Sequence, residues 1–410
     1  MSEVEQAQVV REQAAQGQAA QGQRMPGARV VALAAGGTGG HLFPAQALAE
    51  VLVRRGHACV LFSDERAAKY IRDMAGVELV ISPAATITPR KPWKVPGQVL
   101  RIVRGVLTAR REMRRRGVAA AVGFGGYPSL PPLLAAWHEK VPLMTHDAGV
   151  AIGRANRLLA PLAVRMFTSF PKVTGLKPKY LGKTVHVGNP VRAAVLEVTG
   201  APYAPPERAD APFRLLITGG SQGAHFFAEA IPAALASLPK ALLRRLEVVM
   251  QCREEDMEQV RSALQPLGLA ALELAPFLAD LPRRMAWAHL VIARAGASTI
   301  AELMVIGRPA ILIPYPHLAD DEQGQNAEAF AHGGAGWVLR QHEATAERLG
   351  GLLTELAHAP ALLRAAHEAA LAQARPDAAE RMADVVEQVM AEAAQAGERT
   401  ANGGNPGETT

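Results

Sequence analysis

Residues 29–53 read RVVALAAGGTGGHLFPAQALAEVLV, and the rest of the chain is organised around them. Arg29 to Ala34 is a short apolar run, rich in β-branched residues, that reads as a buried strand; a period of three to four begins at Ala45 and runs through Leu48, Ala49, Leu52 and Val53. Between them stand Gly36, Gly37, Gly39 and Gly40 around Thr38. A strand, a tight turn and a helix follow, with Pro44 placed where a first helical turn tolerates proline. Glycines there bring bare backbone amides close to a ligand, and a helix start favours negative charge. His41, at the mouth of the turn, is the one side chain in it that exchanges a proton near neutral pH.

A dinucleotide fingerprint fits poorly. Gly37, Gly39 and Leu42 occupy its three positions, and Leu42 stands where Gly or Ala is needed for close helix packing, although Asp64 after the next strand, Ala58 to Ser63, could serve as the ribose acid. A phosphate loop with Gly-Lys-Ser/Thr is absent.

The 410 residues suffice for two domains with full cores, and 49% apolar residues with few aromatics suit α/β architecture. Cys59 and Cys252 lie far apart in apolar runs, which predicts a reducing compartment and neither disulfide nor metal cluster. A net charge of +6 is modest for this length; it suits solubility, an anionic substrate or a membrane face, and no nucleic-acid partner is expected. No run of eighteen apolar residues and no signal peptide is present.

Residues 1–28, with the near-repeat Ala-Ala-Gln-Gly-Gln, read as a disordered leader, and 395–410 as a disordered tail. Strand and helix patterns fill 29–190. A helix is expected from Gln98 to Arg116, then a strand at Ala119 to Val122 that opens into a second glycine cluster, GFGGYPS at 123–129. After a helix from Leu130 to His138, the strand from Val141 ends in His146 and Asp147. In an open parallel sheet these strand ends share one edge, so His41, Tyr127, His146 and Asp147 are expected along one crevice.

Ala201 to Glu207 is proline-rich and poor in core residues, which suits a linker or a surface excursion. The opening pattern then recurs: a strand from Phe213 to Thr218, a glycine turn from Gly219 through Ser221 to Gly223, and a helix from about Ala224. The expected fold is therefore α/β, with two doubly wound, Rossmann-like domains facing across a cleft. Further on, a strand at Leu290 to Ala293 leads to RAGASTIAE, in which Ser298 or Thr299 can cap a helix. Glu302 either completes a capping box or accepts two sugar hydroxyls. After a strand at Ala310 to Ile313, DDEQGQN at 320–326 is either a solvated helix start or a set of groups for sugar hydroxyls.

In order, GGTGGH (36–41), GFGGYPS, HDAG with GRANRLL (146–159), GNPVR (188–192), GGSQGA (219–224), RAGASTIAEL (294–303) and DDEQGQNA (320–327) resemble the MurG family over about 30–375. The resemblance implies a glycosyltransferase-B fold, an acceptor- and membrane-facing domain at 29–190, a UDP-sugar domain at 191–372, and a helix within 373–394 crossing back to the first domain. It also implies inverting transfer of N-acetylglucosamine from its UDP carrier to the C4 hydroxyl of MurNAc in lipid I, giving lipid II, without metal or cofactor, by a peripheral enzyme on the cytoplasmic face of the plasma membrane. By motif, Thr38, Gly39 and Gly40 fall near the diphosphate and sugar, His41 at the proposed catalytic position, and Arg192 and Ser221 on the donor phosphates. Leu278 matches a backbone contact to the uracil, Ala297, Ser298, Thr299, Ile300, Ala301 and Glu302 the nucleoside-binding turn and helix, and Gln323 the reader of N-acetylglucosamine. Tyr127 joins the substrate-binding set. Asp147 is a second candidate base, or orients the acceptor or His41.

The chain departs from the family pattern at Asp147-Ala148-Gly149, where Glu-Gln-Asn is usual, and at Glu322, where Gln or His is expected. A UDP-sugar sensor, a transferase with another acceptor, and a sugar-nucleotide 2-epimerase are the alternatives. Arg90, Lys91, Trp93, Lys94, Val95 and Val99 to Val103, with Arg104, Arg110 and Arg111, form either a face for anionic lipid or a core helix with a solvated basic side.

Overall fold

The computed structural model describes residues 28–37, 39–65, 76–86, 92–220, 225–316 and 321–402. Thr38, Ser221, Arg90, Lys91, Asp320, the leader through Gly27 and the last eight residues lie outside them.

Two parallel sheets organise the chain. The first has seven strands in the order β3 (Val77–Ile81), β2 (Ala58–Ser63), β1 (Val30–Ala34), β4 (Val118–Gly123), β5 (Leu143–Asp147), β6 (Arg165–Thr168) and β7 (Thr184–His186), and the second six in the order β10 (Ala271–Ala275), β9 (Leu246–Gln251), β8 (Phe213–Thr218), β11 (Leu290–Ala293), β12 (Ala310–Leu312) and β13 (Gly336–Val338). β1 (Val30–Ala34) pairs in parallel with both β2 (Ala58–Ser63) and β4 (Val118–Gly123). In the second sheet β8 (Phe213–Thr218) lies between β9 (Leu246–Gln251) and β11 (Leu290–Ala293). Strand order therefore reverses beside β1 and again beside β8, which opens a crevice at the carboxyl ends of those strands. All five residues of β1 are buried, as a strand covered on both faces requires.

Several boundaries differ from the sequence reading for identifiable reasons. Helix α1 runs Gly39–Arg54, so it starts within the glycine turn and places Pro44 in its interior instead of its first turn. A proline nitrogen cannot donate to the carbonyl four residues back, here Gly40. Helix α2 spans Val95–Arg116, three residues longer at its start, because Pro96 sits in the first turn. It ends at Gly117, whose φ of 62° is the left-handed conformation that glycine adopts without strain.

The proline-rich stretch 201–207 forms no helix or strand, yet it is pinned to the second domain. The Tyr203 hydroxyl donates to the His289 carbonyl at 2.8 Å, and its ring stacks on His367. Phe170, Val191 and Val195 pack into the second domain's core with Leu278, Ile300 and Leu303.

The last helix, α9, spans Ala378–Asn402. It starts later than residue 373 because Pro376 separates it from the helix Pro360–Gln373, and the residue before a proline avoids the α region. It continues beyond residue 394, through eight residues that the sequence reading gave to a disordered tail; the alanines at 391, 393, 394 and 396 favour the helix strongly. Its Met382, Val386 and Met390 pack against the first domain with Leu48 and Leu52 of α1. Arg55 pairs with Asp384 at 2.8 Å and Glu387 at 2.9 Å, and His57 meets Glu387 at 3.0 Å.

Helix α2 seats on the end of β3 (Val77–Ile81) and on α3 (Leu130–His138) through Gly105. A Cβ there would lie 2.0 Å from the Pro83 carbonyl oxygen and 3.0 Å from Pro131. Gly105→Ala should destabilise the protein by about 1–3 kcal/mol, the usual cost of overpacking, measured by urea denaturation. An unchanged midpoint would mean that α2 is free to shift.

Candidate active site

His41, in the first turn of α1, is enclosed by glycines from two switch-point loops. A Cβ on Gly36 would stand 3.5 Å from its Nδ1, one on Gly125 3.4 Å from Nε2, and one on Gly126 3.6 Å from Cε1. Gly125 and Gly126 both have positive φ, 83° and 73°, so the turn that wraps the ring depends on residues without side chains. The clusters GGTGGH and GFGGYPS thus meet around one imidazole.

His146 is not part of this lining. It is 1% exposed, packs on Phe124 with ring centroids 5.5 Å apart, and meets Ser169 Oγ at 3.3 Å. Burial pushes its pKa down to about 4, so the ring is neutral. The strand β5 (Leu143–Asp147) carries it one residue into the core before reaching the sheet edge.

Asp147 does reach the edge, and its carboxylate is spent on the chain itself. Oδ2 accepts from the Gly153 amide at 2.7 Å and from Asn156 Nδ2 at 3.0 Å, while Oδ1 accepts from the Gly149 amide at 3.4 Å. Burial raises its pKa, opposed by these hydrogen bonds. It holds the loop 148–153 in shape.

That loop touches the second domain. The Val150 amide donates to Asn326 Oδ1 at 2.8 Å, and Asn326 Nδ2 donates to the Ala295 carbonyl at 3.4 Å. A Cβ on Gly149 would meet Asn326 Oδ1 at 3.3 Å and Glu322 Oε1 at 3.4 Å. Two positions that depart from the family pattern, 149 and 322, therefore face each other across the cleft.

In the second domain, α7 (Ala297–Ile306) starts at Gly296 with no side-chain cap, which removes the capping-box reading of Glu302. Glu302 lies five residues after Ala297, beyond the third helical position that a capping box uses. It is 5% exposed and takes two hydrogen bonds on Oε1, from Arg192 Nε at 3.1 Å and Nη2 at 2.7 Å. The Arg192 guanidinium also lies 4.7 Å from the centre of the Phe43 ring. Phe43 in turn needs Gly39, where a Cβ would come within 2.8 Å of its ring. Burial raises the pKa of Glu302 and Arg192 opposes the rise.

Of the remaining predicted residues, Ile300, Ala301 and Leu278 are core residues, so only their backbone can face a ligand. Ala297, Ser298 and Thr299 are half-buried at the helix start, and Ser298 Oγ is shielded with no partner among the described residues. Gln323, in α8 (Glu322–His332), accepts from the Tyr315 amide at 3.0 Å. Tyr127 is exposed at the sheet edge beside His41.

Sequence reasoning placed Asn326 only within the run 320–326 read for sugar hydroxyls, and it did not single out Phe43, Asn156 or Gln251. Gln251 accepts from Thr218 Oγ1 at 2.8 Å and donates to the carbonyls of Gly220 at 3.2 Å and Pro276 at 3.4 Å, tying the second glycine turn to the Leu278 loop. Phe43 left a signal in its helical spacing of four from Gly39, and Asn156 and Asn326 in their places within GRANRLL and DDEQGQNA.

Two Rossmann-like domains, with switch points at β1/β4 and β8/β11 and functional side chains at those strand ends, define a glycosyltransferase of the B type. Models of the glycosyltransferase family 28 N-terminal domain and C-terminal domain match residues 31–168 and 214–382. The chain is 44% identical over 360 residues to the UDP-N-acetylglucosamine–N-acetylmuramyl-(pentapeptide) pyrophosphoryl-undecaprenol N-acetylglucosamine transferase of Phenylobacterium zucineum, covering 88% of this chain and 98% of that one. It is 47% identical over 358 residues to the transferase of the same name from Methylobacterium nodulans, covering 87% and 96%. The crystal structure of Acinetobacter baumannii MurG superposes with a TM-score of 0.73 at 27% identity, covering 88% of this chain and 99% of that one. The chain belongs to the MurG family.

Removing one member of a buried ion pair leaves the other charge stranded. Arg192→Ala should cost about 3 kcal/mol of stability, the low end for such a pair because Arg192 is part-exposed. The folded-state pKa of Glu302 is already above its unfolded value, so the folded protein holds that proton more tightly and stability falls as pH rises from about 4.3 through the folded value. Loss of Arg192 pushes that pKa higher still. The variant should therefore be less stable at pH 7 than at pH 5 by denaturant titration, and adding Glu302→Gln should flatten the difference. A pH-independent deficit would assign the loss to packing on Phe43.

Proposed function

We infer that this chain transfers N-acetylglucosamine from UDP-N-acetylglucosamine to the C4 hydroxyl of MurNAc in lipid I, producing lipid II for peptidoglycan. The observation that carries this is near-full-length identity of 44–47% to transferases named for that donor and acceptor.

An inverting single displacement needs the acceptor oxygen and the departing UDP in line on opposite faces of the anomeric carbon. His41 is the base: it projects from the first domain at the switch point, and Asp147 has both oxygens engaged by its own loop. The donor lies on the second domain. Arg192 reaches Glu302 with Nε and Nη2, and a guanidinium retains further donors for a phosphate oxygen. Both of these bonds end on Oε1 of Glu302, which leaves Oε2 to accept ribose hydroxyls. Ser298 Oγ supplies a hydroxyl at the helix start, and Gln323 reads the sugar. Thr38 and Ser221 keep the roles that their motifs imply.

His41→Ala should lower turnover at least about 100-fold and leave the calorimetric affinity for UDP-N-acetylglucosamine nearly intact. An active variant would remove the base assignment. Absence of wild-type product with tight donor binding would favour a sensor.

The enzyme acts at the cytoplasmic face of the plasma membrane, held by its first domain. No described helix is long and apolar enough to cross a membrane. On α2 the apolar residues Val99, Leu100, Val103 and Leu107 form one exposed stripe, and Trp93 just before it is 72% exposed. A solvated basic face on a fully buried helix does not leave such a stripe; contact with the headgroup region does. Arg110 contributes less than its sequence position suggests, because it pairs with Glu139 at 2.6 Å. Co-sedimentation with vesicles containing anionic lipid should weaken when Trp93 and Lys94 are both changed to Ser. Equal recovery of the wild type and the double variant would exclude this face.

A further inference from the structure

A cavity of about 490 Å³ lies against α2, separate from the enclosure of His41. Its walls come from Asp64 and Glu65 after β2, the turn following β3, Leu100, Arg101 and Arg104 of α2, and Tyr127 after β4. These are the carboxyl ends of neighbouring strands, so the cavity opens along the same sheet edge as the base. Tyr127 directly follows the Gly125-Gly126 turn that wraps His41 and joins the two places.

The seven arginines of α2 differ in their partners. Arg110 and Arg114 share Glu139, and Arg115 and Arg116 share Glu112 and Glu78. Arg101, Arg104 and Arg111 have no ion pair or hydrogen bond among the described residues, and of these three Arg101 and Arg104 line the cavity. At about 3.6 residues per turn, residues three apart are neighbours on one side of the helix. Going round α2, the exposed stripe of Val99, Val103, Leu107 and Leu100 comes first, then Arg104 and Arg101, then the buried seam of Gly105, Ala109 and Met113. An occupant of the cavity meets two guanidiniums and, directly beside them, an apolar strip that leads outward.

Such a surface fits an anion carried on a hydrocarbon chain. Two guanidinium forks match two adjacent phosphate groups, each able to take paired hydrogen bonds. Asp64 and Glu65 offset the two positive charges, so the cavity is no general trap for anions; binding needs forked contacts that a small ion supplies poorly.

We propose that Arg101 and Arg104 bind the diphosphate of the lipid-linked acceptor, with Leu100 and its apolar neighbours guiding the polyprenyl chain toward the bilayer. This rests on the acceptor reading given above. It adds the residues that fix where the acceptor's anionic linkage sits relative to His41. The sugar then lies toward Tyr127 and the base, and the lipid toward Trp93.

The test titrates farnesyl diphosphate into full-length protein saturated with UDP, so that the donor site is filled. Arg101→Gln with Arg104→Gln should weaken this binding at least about 10-fold, as expected for lost hydrogen bonds to a charged group. With a detergent-solubilised lipid I analogue, KM for the acceptor should rise by a similar factor, with kcat changing by no more than about twofold. Arg101→Lys with Arg104→Lys should recover part of the affinity, since a point charge replaces the fork. Unchanged donor affinity certifies the fold of each variant. Unchanged farnesyl diphosphate binding and acceptor KM would overturn the proposal. So would a loss confined to binding of anionic vesicles, which would give the arginines to lipid headgroups. A wild type without turnover would strike the acceptor reading, and the farnesyl diphosphate titration would then judge the arginine pair by itself.

Discussion

The ion pair between Arg192 and Glu302 is the contact on which the two halves of the site depend. Glu302 is buried in the second helix of its switch point, where an unpaired carboxylate would be expensive. Its partner comes from the segment that joins the two domains, and that partner stacks on Phe43 of the first domain. One guanidinium therefore touches the start of α1 and the helix α7 together. Because Gly39 makes room for Phe43, a glycine of the first loop is coupled through an aromatic ring to a carboxylate 263 positions later.

The same economy governs the polar groups around His41. His146 and Asp147 are adjacent in sequence and both stand at a strand end, yet their surroundings differ. The pleat turns the His146 ring into the core, where desolvation keeps it neutral. It sends Asp147 to the edge, where backbone amides and Asn156 occupy it. The loop that Asp147 shapes is in turn bonded to Asn326 of the other domain through the Val150 amide.

Helix α2 carries three tasks on three sides. Gly105, Ala109 and Met113 seat it on the sheet, its last-turn arginines are neutralised by Glu139, Glu112 and Glu78, and an apolar stripe remains uncovered. A buried helix with a solvated basic side would need only the first two. The uncovered stripe lies beside Arg101 and Arg104, which line a cavity at the carboxyl ends of the first sheet and have no ion pair among the described residues.

Most of the architecture was legible along the chain. Apolar runs of five or six residues, each ending in glycines ahead of a helical period, mark parallel strands at their switch points, and the boundaries of β2, β8 and β11 were readable to the residue because turn chemistry brackets them. Helix starts near proline were less legible, since a proline fits several first-turn positions and one interior position. The motifs also marked His41, Arg192, Glu302 and Gln323 as candidates, and the structure places the first three at or beside the strand ends of the two switch points. What the sequence alone determined was local: periodicity, turns, and which residue types stand at strand ends. Only the tertiary structure decided which of those side chains are free to act. Pairings such as Arg192 with Glu302, Val150 with Asn326 and Gly149 against Glu322 join residues more than a hundred positions apart, and nothing in local propensity or spacing encodes a contact that forms only when two sheets close on one another.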